Sequence, residues 1–122
     1  MIYFYPKDMT SGCTRESQEF RDLYAAFTKA QTQIVGISRD SIASHERFKL
    51  RDKLPFALLA DEDEKVCKLF DVIQEKSMYG RKYLGVERST FLVDAKGVLR
   101  RAWRKVKVPG HAEEVLEAAR SV

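Results

Sequence analysis

The chain has 122 residues, a length that suits one domain with one modest core. Hydrophobic residues make up 44% and charged residues 33%, the balance of an ordinary globule, and no apolar run approaches the ~18 residues that span a bilayer. A net charge of +4 suits an acidic protein partner without indicating nucleic acid, and two cysteines are too few for a disulfide-stapled secreted scaffold.

In chain order, Ile2–Tyr5 is an apolar, aromatic strand. Met1 leads straight into it with no signal-peptide pattern, so the expected location is cytoplasmic. Thr14–Ala30 is a helix, with Phe20, Leu23, Tyr24 and Phe27 recurring at helical spacing. Gln33–Ser38 is a buried strand. Ser41–Asp52 is a second helix with Ile42, His45 and Phe48 on one side, ended by Leu54-Pro55. Phe56–Ala60 is a strand. Asp61 caps a third helix, with Glu64 three residues on as in a capping box, and Val66, Leu69, Phe70 and Ile73 form its apolar side.

A polar loop with Gly80 and Gly85 follows. Arg88–Asp94 is a strand, Asp94-Ala95-Lys96-Gly97 a turn, and Val98–Lys105 the hairpin partner. The basic run Arg100–Lys107, with its single Trp103, reads as an edge strand carrying long charged side chains rather than a base-stacking platform. Pro109-Gly110 introduces the last helix, with Val115, Leu116 and Ala119 inward. Alternating strands and helices give the α/β class: a thioredoxin-like fold, with a central mixed β-sheet flanked by helices, in one domain over residues 1–122. A domain rarely starts flush with a central buried strand. The expectation is therefore that an N-terminal segment is absent from this chain, or that its start is misassigned.

The chemistry concentrates at Pro6, Thr10 and Cys13. A short strand, a loop and a helix place a thiol at a helix N-terminus, where unpaired backbone N–H groups favour negative charge. An ordinary cysteine, with pKa about 8.5, is mostly protonated at neutral pH, and only the thiolate is nucleophilic. Attack on a peroxide O–O bond needs that thiolate. It also needs donors that hold the peroxide in line and stabilise charge on the departing oxygen. A threonine hydroxyl and an arginine fork supply such donors, and a proline closes the pocket without adding a competing one.

Pro6-x-x-x-Thr10-x-x-Cys13 is the active-site signature of the peroxiredoxins. Tyr3-Phe4-Tyr5-Pro6-Lys7-Asp8, Gly12-Cys13-Thr14-Arg15-Glu16, Gly85–Asp94 and Trp103–His111 resemble the bacterioferritin-comigratory-protein (PrxQ) branch, in the same order along essentially the whole chain. The resemblance implies a thiol peroxidase acting on hydrogen peroxide and organic hydroperoxides. Cys13 matches the peroxidatic cysteine, Thr10 the hydroxyl partner, Pro6 the shielding proline and Arg88 the arginine that activates the sulfur and polarises the peroxide. Glu16 sits where the family often has a glutamate that orients an arginine. Cys13 becomes a sulfenic acid, and a second thiol reduces it. The implied partners are the peroxide and a reductant such as thioredoxin, glutaredoxin or a small thiol. Relatives are often monomers or weak dimers.

Two positions depart from the branch. Many relatives carry a resolving cysteine five residues after the first, where this chain has Gln18, and position 11 is Ser where Pro is common. Cys67 is the other thiol, read either as a small buried hydrophobe or as a resolving cysteine reached after partial unwinding of the first helix. The favoured cycle uses one cysteine and an external thiol. His45 and His111 lack metal-ligand spacing, no phosphate loop occurs, and the chemistry calls for no cofactor. Competing functions are a thioredoxin-fold thiol-transfer relay and a catalytically silent binding module. The relay would want Cys-x-x-Cys where Cys13-Thr14-Arg15-Glu16 stands.

Overall fold

The computed structural model describes residues 1–122. β1 (Ile2–Phe4) leads through the loop 5–10 into α1 (Ser11–Asp22), α2 (Tyr24–Lys29) and β2 (Val35–Ser38). α3 (Ile42–Asp52), β3 (Ala57–Ala60) and α4 (Lys65–Leu69) follow. A hairpin, β4 (Ile73–Met78) and β5 (Arg81–Val86), precedes β6 (Ser89–Val93), β7 (Leu99–Trp103) and α5 (His111–Arg120). The main sheet has five strands in the order β3-β2-β1-β6-β7. β1 runs parallel to β2, and β2 to β3, whereas β6 is antiparallel to both β1 and β7.

Both steps β1→β2 and β2→β3 move the same way across the sheet. Right-handed crossovers therefore carry α1, α2 and α3 onto one face. The alternation of β1 divides the interior accordingly. Tyr3 and Tyr5 join Cys13, Phe20, Phe27, Phe48, Leu92 and Val115 in the larger cluster. Phe4 joins Ile37, Cys67, Val72, Val86 and Phe91 in a smaller one on the opposite face. β1 thus feeds both cores, and truncation of the fully buried Phe4 to alanine would cost about 3–5 kcal/mol. Gly36, paired with Tyr3, makes room for it: a Cβ there would lie 2.9 Å from the Tyr3 ring.

The expected strands and the last helix lie where the sequence pattern places them, within two residues at each end. The first helix does not run unbroken from Thr14 to Ala30. It starts at Ser11, and Leu23 interrupts it, so Cys13 sits inside the first turn rather than before it. The polar loop around Gly80 and Gly85 is instead the β4–β5 hairpin, turned by Tyr79 and Gly80 with φ 52° and 78°. Positive φ at both turn residues matches the twist of the flanking strands. Ile42 is 69% exposed: six residues sweep about 600°, leaving it about 120° from Phe48. Leu69 is 80% exposed because α4 ends there, while Val72 and Ile73 already belong to the following extended segment and strand. The N-cap of α4 is Glu64, at φ 64°, so the expected capping box does not form: Glu64 turns its carboxylate to Arg39, while Asp61, three residues earlier, accepts from the N–H groups of Val66 and Cys67 at 3.0 and 2.7 Å. β7 is the edge strand expected of the basic run, with Arg101 stacked over Trp103. No helix is long and apolar enough to cross a membrane.

Candidate active site

Tyr5 ends the central strand by donating its N–H to Ile37, and the chain bends away at Pro6. Thr10 is the N-cap of α1. The first helical bond runs from the Thr14 N–H to the Thr10 carbonyl at 2.8 Å, so the amides of Ser11, Gly12 and Cys13 precede any helical partner. Cys13 lies in that turn, 1% exposed, with its sulfur beside the guanidinium of Arg88.

Arg88 arrives from the other half of the chain, immediately before β6. The Val106 N–H holds its carbonyl at 3.0 Å, and the Glu87 N–H donates to Val72 at 2.7 Å, which fixes the approach of the arginine. Nη2 donates to Cys13 Sγ at 3.3 Å, and Nη1 donates to Glu16 Oε1 at 2.6 Å. One planar fork therefore spans the sulfur and a carboxylate one helical turn further on. Burial pushes the Glu16 carboxyl up to about 7, against the pull of Arg88, and its Oε2 has no partner. Burial works against the charge of Arg88, but Glu16 and Cys13 outweigh it and raise the guanidinium above its usual range. The sulfur thus faces a permanently charged donor.

The structure brings Cys13, Arg88 and Glu16 together. Thr10 is exposed at the N-cap of α1, and its hydroxyl donates to the Lys7 carbonyl at 2.9 Å rather than to the sulfur. Pro6 is half-buried at the bend that opens the same loop. Cys67 is not with them. It is fully buried in the smaller core across the sheet, where burial and the adjacent Asp61 carboxylate push its thiol up to about 12.

Two features escape the sequence. Lys76, on the unforeseen hairpin, is held below the usual lysine range, mostly by burial and then by the charge of Arg88. Asp8 and His45 pair at 2.7 Å behind the loop. The two residues stand 37 apart in sequence, and no spacing rule connects them. His111 opens α5 as expected, with its Nε2 2.8 Å from the Thr90 hydroxyl.

Comparison with known proteins gives the family context. The profile of the AhpC/TSA family matches residues 1–102. Peroxiredoxin Bcp of Xanthomonas campestris is 52% identical over 121 residues, covering 99% of this chain and 76% of the relative. Peroxiredoxin Bcp of Bacillus subtilis is 46% identical over 122 residues, covering 100% and 78%. Among solved structures, the X. campestris bacterioferritin comigratory protein, studied for its alkyl peroxide reduction activity, superposes with a TM-score of 0.94. It is 52% identical and covers 98% of this chain and 76% of the other. Peroxidoxin BcpB of Mycobacterium tuberculosis gives a TM-score of 0.87 at 30% identity, covering 99% and 77%. On this match along its length, and on the thioredoxin-like sheet that carries it, the chain belongs to the AhpC/TSA family, in its peroxiredoxin Bcp (PrxQ) branch.

Proposed function

We propose that this peroxiredoxin is a thiol-dependent peroxidase for hydrogen peroxide and organic hydroperoxides, with Cys13 as nucleophile. The observation that carries the assignment is the 3.3 Å contact from Arg88 Nη2 to a sulfur seated in the first turn of α1. The Cys13 thiolate attacks the terminal peroxide oxygen. An S–O bond forms as the O–O bond breaks, the sulfur is oxidised by two electrons, and the departing alkoxide or hydroxide takes a proton from water. Arg88 stabilises the charge that builds on that oxygen, and Glu16 holds the fork in plane. Thr10 spends its one donor on Lys7, which leaves its lone pairs to accept the hydrogen of the incoming hydroperoxide. Pro6 closes the pocket wall.

The cycle uses one cysteine. Gln18 replaces a thiol in α1 and donates to Asp52 at 2.9 Å, and Cys67 lies in the other core as a protonated thiol. An external thiol attacks the sulfenic sulfur, displaces water, and gives a mixed disulfide that a second thiol resolves. Thioredoxin, glutaredoxin and small thiols share this chemistry, and the reducing cytoplasm supplies them. The thiol-transfer alternative is not favoured, given relatives that are peroxiredoxins. Peroxide consumption with dithiothreitol tests the assignment. Cys13→Ser should abolish it, and Arg88→Ala should slow it by about 10²–10³. Equal rates in all three proteins would leave only a binding module.

A further inference from the structure

The loop 6–10 carries Thr10 and delivers Cys13, yet only one of its side chains is buried. That side chain is Asp8, 1% exposed, and it collects partners from distant parts of the chain. Its Oδ1 accepts from the Tyr5 hydroxyl at 2.6 Å. Its Oδ2 accepts from the Ser44 hydroxyl at 2.9 Å and faces His45 Nδ1 at 2.7 Å. Its own N–H donates to Asp40 Oδ2 at 2.9 Å. The loop is thereby tied to β1, to the segment after β2, and to α3.

The imidazole sits between two acceptors. Nδ1 faces the Asp8 carboxylate, and Nε2 lies 3.0 Å from the Leu59 carbonyl of β3. A neutral ring has one N–H and turns the lone pair of its other nitrogen toward an acceptor, whereas an imidazolium donates to both. The other groups that face the ring add no positive charge. The Tyr5 hydroxyl, 3.4 Å from Nδ1, donates its hydrogen bond to Asp8, and Asp40 is a second carboxylate nearby. Burial works against the charge, but the Asp8 contact outweighs it and raises His45.

We infer that Asp8 and His45 are positioning residues of the peroxidase, a buried carboxylate–imidazolium pair that holds the loop bearing Thr10 against α3. The inference rests on the peroxidase assignment and extends it to residues that touch neither sulfur nor peroxide. Deprotonating His45 removes one hydrogen bond and leaves the Asp8 charge with neutral donors only. The loop's tie to α3 then weakens to the Ser44 hydrogen bond and a neutral imidazole contact, and Thr10 shifts against Cys13. Displacements on the order of 1 Å at a reacting centre cost up to about 10²-fold in rate.

The test is the rate of Cys13 oxidation by hydrogen peroxide from about pH 6 to about pH 10, in wild type and Asp8→Asn, with thiolate absorbance measured in parallel. Asp8→Asn should lower the rate at neutral pH by about tenfold at equal thiolate content. It should also move the alkaline fall in rate to lower pH, because the amide no longer supports the cation. Nitrogen NMR of His45 in the wild-type protein should show both ring nitrogens protonated at neutral pH, a result that needs no variant to fold. A neutral His45 there, or an Asp8→Asn protein with the wild-type rate and profile, overturns the inference. Wild type that consumes no peroxide at all overturns the peroxidase assignment instead.

Discussion

A Cβ on Gly12 would lie 3.2 Å from Nη2 of Arg88, so the guanidinium occupies the space that a side chain at residue 12 would need. The glycine is required by its neighbour and not by its backbone, which is helical. Gly12→Ala should displace the fork by a few tenths of an ångström from the sulfur and slow oxidation of Cys13 by about three- to tenfold. Alanine favours helix, so the melting temperature should hold or rise slightly. Competition kinetics with hydrogen peroxide and a thermal melt check the two halves. An unchanged rate would separate Arg88 from the reaction.

Glu16→Gln should change how stability depends on pH. The folded carboxyl titrates near 7 and the free side chain near 4.5. Between these values the folded state holds a proton that the unfolded state has released, so this group makes stability fall as pH rises through that window. Glutamine removes that slope. The melting temperature of the variant, relative to wild type, should therefore climb from about pH 4.5 to about pH 7, as followed by circular dichroism in matched buffers.

His111 contributes with the opposite sign. Burial against Phe20 and Trp103 drives its folded value down to about 4, from an ordinary 6.5. The unfolded state binds the proton first as pH falls, so stability drops from about pH 6.5 toward pH 4. His111→Gln should flatten that acid limb, and calorimetry across the same range reads the difference.

Cys67→Ala should leave peroxide consumption with dithiothreitol at the wild-type rate and cost about 1–2 kcal/mol of stability through the small cavity left among Val72, Val86 and Phe91. Mass spectrometry after one equivalent of peroxide should find Cys13 oxidised and Cys67 still a free thiol. A Cys13–Cys67 disulfide as the main product would replace the one-cysteine cycle.

The parts legible in the sequence are those whose signal is local. Val35–Ser38 and Ser89–Val93 are buried on both faces and read as short apolar runs, and Asp94-Ala95-Lys96-Gly97 announces its own turn. The β4–β5 hairpin hides because its residues are largely exposed, so nothing alternates between apolar and polar strongly enough to mark a strand. The break at Leu23 hides because Phe20, Leu23 and Phe27 keep helical spacing through it. At the site, Cys13 and Thr10 are readable from strand, loop and helix. Arg88 depended on the resemblance, since 75 residues separate it from the sulfur. The Asp8–His45 pair had no such help, because two residues 37 apart acquire their meaning only when α3 packs over the loop.

β1 lies in the middle of the main sheet, and its two neighbours come from very different distances along the chain: Ile2 faces Val35 on one side and Phe91 on the other. The parallel partner can dock early, while the antiparallel one must close a loop spanning most of the molecule, which is the kind of contact that slows folding. Until it closes, an aromatic strand presents an open edge ready to pair with another molecule. The central position that gives Cys13 its rigid platform therefore makes late capture of β6 the step at which refolding and aggregation compete.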